Sequence, residues 1–466
     1  MSPRKRTLWG TKFGFYLAAV GSAFGLGNLW RFPYVTVENG GGGFVFLYVL
    51  FAFALGLPLL IGELMLGKLT RRSVISACQR LVDDEELSVR VGAKKETSSN
   101  WIWVGRFSVL TCLLILSYYA VISGWVLHFL MQFFVGQFSS SGFDVEKSLT
   151  VLRENGILQI ALMSVHILIT LVIVIKGVQE GIEKWVGNIM PIFIGLLIVL
   201  ALKSLSLPSA TDALRFMFYP NFASLTVYSP LHAVGHVLFT LSIGIGTMVT
   251  FGSYLNEMTR IPAAGFRVTT MDTLISLFAG LLIFPLLIGL MPAKTGPELL
   301  FQTLPRLLAD LDSGFFFGVA FFICLYMAAL AASIGLLESV VANLLEVTKL
   351  TRAQAAWFTG FAACAVGVIP ALSTSKFGNV NVRGLGFFEL LDSILINGIL
   401  PVSALGVSWL IARKLKRERA EEEFVNDETI ATQMLYSHWS FVMKVLARGI
   451  ILGSIVLALL GLLGVI

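Results

Sequence analysis

An all-α integral membrane protein is the fold class the chain predicts, on three observations. Apolar residues make up 56% of the 466, with 44 glycines besides, and charged residues only 13%. That charged share is about half of a soluble domain's, too little for a water-facing surface. The apolar content is also far above that of a disordered chain. Third, eleven apolar runs are long enough to cross roughly 30 Å of hydrocarbon. Their length and lack of alternation exclude β-barrel strands, so helices must satisfy the backbone inside the bilayer.

The first run, 13–37, follows Arg4, Lys5, Arg6 and Lys12. No small-residue cleavage site follows a short core there, so it reads as a helix and not as a signal peptide. The second, 42–67, opens on a glycine tract and leads into a basic loop, 68–95, with Lys68, Arg71, Arg72, Arg80, Arg90, Lys94 and Lys95. Runs at 102–135, 156–176 and 184–206 complete a first group, and Lys147 stands alone in the 136–152 loop. A second group follows at 229–255, 266–292, 313–345, 353–371 and 385–412. Behind it come Arg413, Lys414, Lys416, Arg417 and Arg419, then EEEFVNDE at 421–428, read as a solvated connector, and an eleventh run at 439–465.

If the runs alternate in direction, the three basic segments share one side. The excess of Lys and Arg makes that side cytoplasmic, with the N-terminus inside and the C-terminus outside a plasma (inner) membrane. The net charge of +6 belongs to those loops and calls for no nucleic-acid partner. Cys78 falls in a polar loop, while Cys112, Cys324 and Cys364 lie in apolar runs, where cysteine acts as a small hydrophobe. Four scattered cysteines make no disulfide scaffold.

Two runs combine clustered glycine with polar groups at membrane depth. The first reads GSAFGLGNLWRFP, with Gly21, Gly25 and Gly27 ahead of Asn28, Arg31 and Pro33. The sixth reads FTLSIGIG, with Gly244 and Gly246 behind Thr240 and Ser242. They stand five runs apart, so each opens a five-span half, and an odd repeat inverts the second half. Interrupted helices at matching positions of two halves point to a substrate site at the midplane. Close helix packing through small residues is the competing reading of the glycines alone.

These residues resemble the neurotransmitter:sodium symporters, in particular the bacterial sodium-dependent amino-acid transporters. The resemblance runs from Arg6 through the tenth run. Its most specific pieces are GLGNLWRFPYVTVENGGGGF at 25–44 and GLPLLIGELMLG at 56–67. SYYAVISGW at 117–125, LFTLSIGIGT at 238–247 and DTLISLFAGLLIFP at 272–285 support it. The resemblance implies a 5+5 inverted repeat with discontinuous helices 1 and 6. Divided accordingly, 1–12 is a cytoplasmic gate segment, 13–206 the first repeat and 207–228 an extracellular connector. The second repeat is 229–412, followed by a cytoplasmic connector, 413–438, and the eleventh helix, 439–466.

For a zwitterionic amino acid, the resemblance implies that the N–H groups of Leu26 and Gly27 and the Tyr119 hydroxyl meet the carboxylate. The carbonyls of Ala23, Phe239 and Thr240, with the Ser242 hydroxyl, would accept from the ammonium. Half-helix ends supply such donors and acceptors. The side-chain pocket would be lined by Ile115, Tyr119, Phe239, Ile245, Ala332 and Leu336. Gly25 stands where monoamine carriers place an Asp. A ligand without a carboxylate would then strand buried donors at a cost of about 1–3 kcal/mol, so a neutral apolar amino acid is expected.

The implied cofactor is a sodium ion. Its first site would use the carbonyl of Ala23, the side chain of Asn28, both oxygens of Thr240, and Asp272. The substrate carboxylate joins this set and couples the two ligands. Asp272 stands where many members have Asn. Ionised, it costs about 2.5–3.5 kcal/mol at mid-membrane, so it faces a cation, takes a proton, or is hydrogen-bonded structurally. A second site would use the carbonyls of Gly21, Phe24 and Ala328 plus two hydroxyls. Ala331 and Ala332 stand where those hydroxyls belong, and Ser333 lies about 100° further round the helix. A single sodium ion is the expectation, with a proton or neutral packing in place of the second.

Chloride-binding members use Tyr, Gln, Ser or Thr, and Ser at positions that map to Tyr48, His236, Thr240 and Ser276. Protonated, His236 would favour an anion; neutral, it could exchange protons or simply bond a neighbouring hydroxyl. Arg31 and Asp392, above Tyr119 and Phe239, resemble the outer gate. Arg6 and Glu346, with Trp9 and Tyr254, resemble the inner one. Glu63 is expected to accept from unwound N–H groups of both broken helices, and Glu338 acquires no role.

The function that follows is sodium-coupled symport of a neutral, hydrophobic amino acid by alternating access. The alternatives are a proton-coupled or single-sodium carrier, or an amino-acid-gated channel or sensor on the same bundle. An enzyme is not expected: no Ser–His–Asp order, HExxH, Walker loop or CxxC is present. The implied partners are the amino acid and the lipid bilayer, and no feature specifies an oligomeric state.

Overall fold

The computed structural model describes residues 7–88, 99–136, 145–288, 298–309, 314–376, 381–382, 385–424 and 430–463. Helix dominates them. A short antiparallel pairing, Asn381 with Gly386 and Val382 with Leu385, and a single antiparallel bridge between Ser88 and Leu415 interrupt it.

Among the described residues, nine helices are long and apolar enough to cross a membrane. They are Gly42–Thr70, Asn100–Phe134, Gly156–Ile175, Val178–Ser204, Ile261–Leu287, Gly314–Val347, Arg352–Ser373, Phe387–Lys414 and Met434–Gly461. They coincide with nine of the eleven apolar runs. The other two, the first and the sixth, are each divided. Lys12–Ala23 is followed by a π-helical turn, Gly27–Arg31, that continues as Phe32–Glu38. Ser229–Thr240 ends before an irregular stretch, and Thr247–Ser253 resumes beyond it.

The breaks follow from local chemistry. Phe24 is extended, with φ −87° and ψ 117°, and ends the first segment. In the sixth run Ser242, Gly244 and Gly246 adopt φ of 52°, 85° and 73°, a region that glycine occupies without a Cβ clash. The first segment begins at Thr11, whose hydroxyl accepts from the Gly14 N–H at 2.8 Å. Glu183, at the base of the fifth run, accepts from the N–H groups of Gly10 (2.8 Å) and Thr11 (3.0 Å). Orphan donors at a helix start are thereby satisfied by a carboxylate from another span.

The core is continuous across the bundle, and aromatic groups pack within it. Trp125 is fully buried against Phe301, with ring centroids 5.5 Å apart, and Phe129 stacks on Phe322 at 5.8 Å. Cys78 sits in a helix, Val74–Asp83, and not in a polar loop. It is wholly buried there, and burial pushes its thiol up to about 12.

The acidic connector also differs from expectation. Its first part is the helix Arg417–Phe424, with Ala420 and Phe424 buried and Glu423 paired to Lys68 at 2.6 Å. The apolar face of that helix docks against the bundle, which a reading of the charges alone does not show. Residues 425–428 of the acidic stretch lie outside the described residues.

Candidate substrate and ion site

The two breaks meet in the middle of the bundle. The Ser242 hydroxyl donates to the Ser22 carbonyl at 2.9 Å, tying one break to the other. In the first break the free N–H of Leu26 donates to the Tyr119 hydroxyl oxygen at 2.7 Å. Gly25 makes that approach possible, since a Cβ there would lie 2.5 Å from the Tyr119 oxygen. In the sixth break the Gly244 N–H donates to Glu63 Oε1 at 2.7 Å, and Ser403 donates to the Gly244 carbonyl at 2.5 Å. Glu63 takes no hydrogen bond from the first break among the described residues, so it braces the sixth break alone.

A small cavity of about 20 Å³ lies between the breaks. Ala23, Gly27, Ile115, Tyr119, Phe239, Thr240, Ser242, Ile245, Ala332 and Leu336 line it, and Leu26 adjoins it through Tyr119. Leu400, which no motif in the sequence singles out, completes the apolar wall. The volume suits about one water. A bulky side chain therefore requires the cavity to widen, and Phe239, only partly buried, stands at its edge.

Beside the cavity is a polar cluster. Asn28 Nδ2 donates to Asp272 Oδ1 and to Ser276 Oγ, each at 2.8 Å. Those bonds fix the amide, and its buried Oδ1 has no hydrogen-bond partner among the described residues. A bare amide oxygen next to a carboxylate fits a hard cation, which takes oxygen ligands. The Thr240 hydroxyl turns back on its own helix, 3.5 Å from the Val237 carbonyl.

Of the positions that map to a chloride site, Thr240 lines the cavity, Tyr48 and Ser276 adjoin Asp272, and His236 packs on Tyr48. The Tyr48 hydroxyl is 3.0 Å from Ser276 Oγ and 3.4 Å from Asp272 Oδ2. His236 is fully buried, its ring stacked on Phe32 at 5.7 Å and 5.0 Å from the Tyr48 ring. Neither ring nitrogen has a hydrogen-bond partner among the described residues, so no hydroxyl satisfies it.

The region expected to form a second cation site is apolar. A Cβ built on Gly21 would meet Val186 Cγ1 at 2.8 Å, Met190 Sδ at 3.3 Å and Ala331 Cβ at 3.5 Å. The Phe24 ring packs on Phe193 at 4.3 Å. Ser333 Oγ is bonded to His166 Nε2 at 2.8 Å, so its hydroxyl serves the fourth run. With three carbonyls and no hydroxyl, this set fits a cation poorly.

A model of the sodium:neurotransmitter symporter family matches residues 6–142 and 137–461. The chain belongs to this family. A sodium-dependent transporter of Bacillus subtilis, YhdH, is 33% identical over the whole of both chains. A sodium-dependent transporter of Haemophilus influenzae is 28% identical over 97% of this chain and 99% of that one. The sodium-dependent dopamine transporter of Bos taurus is 27% identical, covering 87% of this chain and 63% of that protein. Among solved structures, MhsT in complex with L-phenylalanine superposes with a TM-score of 0.87, at 32% identity over 97% of this chain and 100% of MhsT. The protein is thus a multi-pass membrane symporter of a sodium-coupled family, not an enzyme.

The symporter's charged groups fall at both ends of the site. On one side, Arg31 Nε lies 3.6 Å from Asp392 Oδ2, and Arg31 also donates to Asn397 Oδ1 at 3.2 Å. Tyr34 donates to the same Asp392 oxygen at 3.4 Å. Beneath them the rings of Tyr119 and Phe239 are 6.5 Å apart. On the other side, Trp9 N–H bonds the Tyr254 carbonyl at 3.0 Å, and its indole donates to the Phe251 carbonyl at 3.1 Å. Glu346 accepts from the Ser73 N–H at 2.9 Å. Arg6 lies outside the described residues.

Glu338 is the symporter residue that sequence reading left without a role. It is fully buried, accepts from the Tyr254 hydroxyl at 2.7 Å and pairs with Arg352, which also donates to the Val174 carbonyl at 2.9 Å. The carboxylate joins the sixth, eighth and ninth runs, and Arg352 extends the contact to the fourth. The signal available in the sequence was the acid itself, a charge in an otherwise apolar helix.

Proposed function

We propose that this symporter couples the entry of sodium to uptake of a neutral, apolar amino acid by alternating access. The observation that carries the reading is the meeting of the two breaks around Tyr119 and Ser242. The substrate carboxylate is met by the Gly27 N–H, by the Tyr119 hydroxyl, whose proton is left free when it accepts from Leu26, and by the Leu26 N–H, shared between Tyr119 and the carboxylate. The ammonium is met by the carbonyls of Ala23, Phe239 and Thr240 and by the Ser242 hydroxyl. The apolar wall of Ile115, Ile245, Ala332, Leu336 and Leu400 carries no charge to pair with a charged side chain. MhsT's bound L-phenylalanine supports a substrate of this class.

Sodium is held by Ala23, Asn28, Thr240 and Asp272, next to the substrate carboxylate. Each ligand then raises the other's affinity. The methyl groups of Ala331 and Ala332 and the thioether of Met190 favour one sodium ion per substrate over two. Arg31 with Asp392 closes one face and Arg6 with Glu346 the other. Arg31 is buried and Asp392 largely so, and the cost of drying both charges offsets their attraction, which suits a contact remade in every cycle. The divided first and sixth helices complete a set of eleven, arranged as two inverted five-helix repeats over 13–206 and 229–412. The excess of Lys and Arg in the basic loops supports a cytoplasmic N-terminus.

Radiolabelled uptake into proteoliposomes tests the proposal, with a panel of amino acids and with sodium, proton and chloride gradients varied separately. Saturable accumulation of apolar amino acids driven by sodium is expected. Uptake that is flat across sodium concentrations would remove the coupling.

A further inference from the structure

A cavity of about 600 Å³ lies at the rim of the bundle, away from the substrate site. It is bounded by the helices Gly42–Thr70 and Ile261–Leu287, by the connector helix Arg417–Phe424 and by the last helix, Met434–Gly461. Leu57, Ile61, Phe266, Leu435, Trp439 and Val442 form its apolar wall. Phe266 is 54% and Leu435 51% exposed, so the cavity opens sideways, where a membrane protein meets hydrocarbon. At its floor the Trp439 indole donates to the Pro58 carbonyl at 3.0 Å, and the Trp439 ring packs on Phe424 at 5.3 Å.

One end of the cavity is charged. Arg260, Glu423 and His438 reach it. Glu423 is neutralised by Lys68 at 2.6 Å, and Lys68 also donates to the Thr259 carbonyl at 3.0 Å. Arg260 has no ion-pair partner among the described residues. It immediately precedes the helix Ile261–Leu287, so the positive end of that helix adds to its guanidinium, and Pro262 and Ala263 of the first turn line the same cavity. The net field at this end is positive, and the remainder of the space is apolar.

A ligand matching both halves is an amphiphile with an anionic head and a long hydrocarbon tail. We propose that the cavity is a binding site for a phospholipid with an anionic headgroup, its phosphate against Arg260 and one acyl chain along Phe266, Leu435 and Val442. A free phosphate would leave the apolar wall uncovered, and a zwitterionic lipid would gain less at Arg260. The bound chain would fill the seam between the last helix and the rest of the bundle.

The test is native mass spectrometry of the full-length protein, purified in detergent and supplied with phosphatidylglycerol or phosphatidylcholine at equal concentrations. The wild type should retain one phosphatidylglycerol in preference to phosphatidylcholine. Arg260→Gln should weaken phosphatidylglycerol retention about fivefold, to the phosphatidylcholine level. Ala263→Trp, which fills the space without touching the charge, should abolish the retained lipid of either kind. Glycerol 3-phosphate should not displace it. Unfolding midpoints in lipid-free detergent, equal for the three proteins, separate lost binding from lost folding. Equal retention of both lipids by the wild type, retention unchanged in both variants, or displacement by glycerol 3-phosphate would overturn the assignment.

Discussion

Leu26 and Tyr119 meet at 2.7 Å, a backbone N–H of the broken first helix donating to a hydroxyl oxygen of the third run. In a continuous helix that N–H would be bonded to a carbonyl four residues back. Here the break at Phe24 and Gly25 frees it, and Tyr119 keeps it satisfied as an acceptor, which leaves the hydroxyl's own proton to donate elsewhere. Both partners are buried, so losing either leaves a polar group without water to replace it.

Tyr119→Phe should therefore weaken amino-acid binding by tenfold or more. A hydrogen bond to a charged group is worth about 1.5–3 kcal/mol. Calorimetric titration with a neutral apolar amino acid at saturating sodium checks this. Unchanged affinity would detach Tyr119 from the carboxylate.

Asn28→Ala should raise the sodium concentration for half-maximal uptake by at least tenfold, because Asn28 presents a buried oxygen and also holds Asp272 at 2.8 Å. Leu26 and Tyr119 are left intact by this change. Substrate affinity at very high sodium should therefore recover, and sodium titration of the initial uptake rate reads both effects.

One sodium ion should accompany each amino acid. Paired isotope fluxes, or the reversal potential of transport current in liposomes, give the ratio. A value of two would mean that the apolar surroundings of Gly21, with Val186, Met190 and Ala331, do not exclude a second cation.

Arg352→Ala should destabilise the protein toward the lower part of about 3–5 kcal/mol, by leaving the buried Glu338 carboxylate unpaired while Arg352 itself keeps 23% exposure. Adding Glu338→Gln to that variant should restore much of the loss. Thermal unfolding in detergent checks the pair, and two independent, additive losses would show that the groups do not act together.

Cys78 should resist maleimide in the folded protein at pH 7–8. Burial both hides the thiol and pushes it up to about 12, so the reactive thiolate is scarce until far above neutrality. The same upward shift means that the thiol's contribution to stability is whole below its ordinary value and is lost as the pH climbs toward 12. Rapid labelling of Cys78 at neutral pH without denaturant would place the helix Val74–Asp83 elsewhere.

Much of this was legible in the sequence because membrane helices announce themselves by composition, and because Gly25, Gly27, Gly244 and Gly246 mark where helices come apart. The residues expected around the cavity do converge on it. What escaped was pairing between distant segments. Lys68 meets Glu423 across more than three hundred residues, and Glu338 meets Tyr254 and Arg352, through contacts that no local period encodes. Cys78 was misplaced for a related reason: a short helix with polar neighbours reads as a loop until tertiary packing covers its apolar face. Glu63 was expected to serve both breaks, but its Oε1 faces only Gly244, and which N–H a buried carboxylate meets is decided by packing.

The most direct measurement of the central claim is amino-acid affinity as a function of sodium, in the wild type, by calorimetric titration. If the two breaks hold substrate carboxylate and cation side by side, affinity rises steeply with sodium, and sodium affinity rises by the same factor with substrate. Equal affinity in sodium and in choline would contradict a shared site at the breaks.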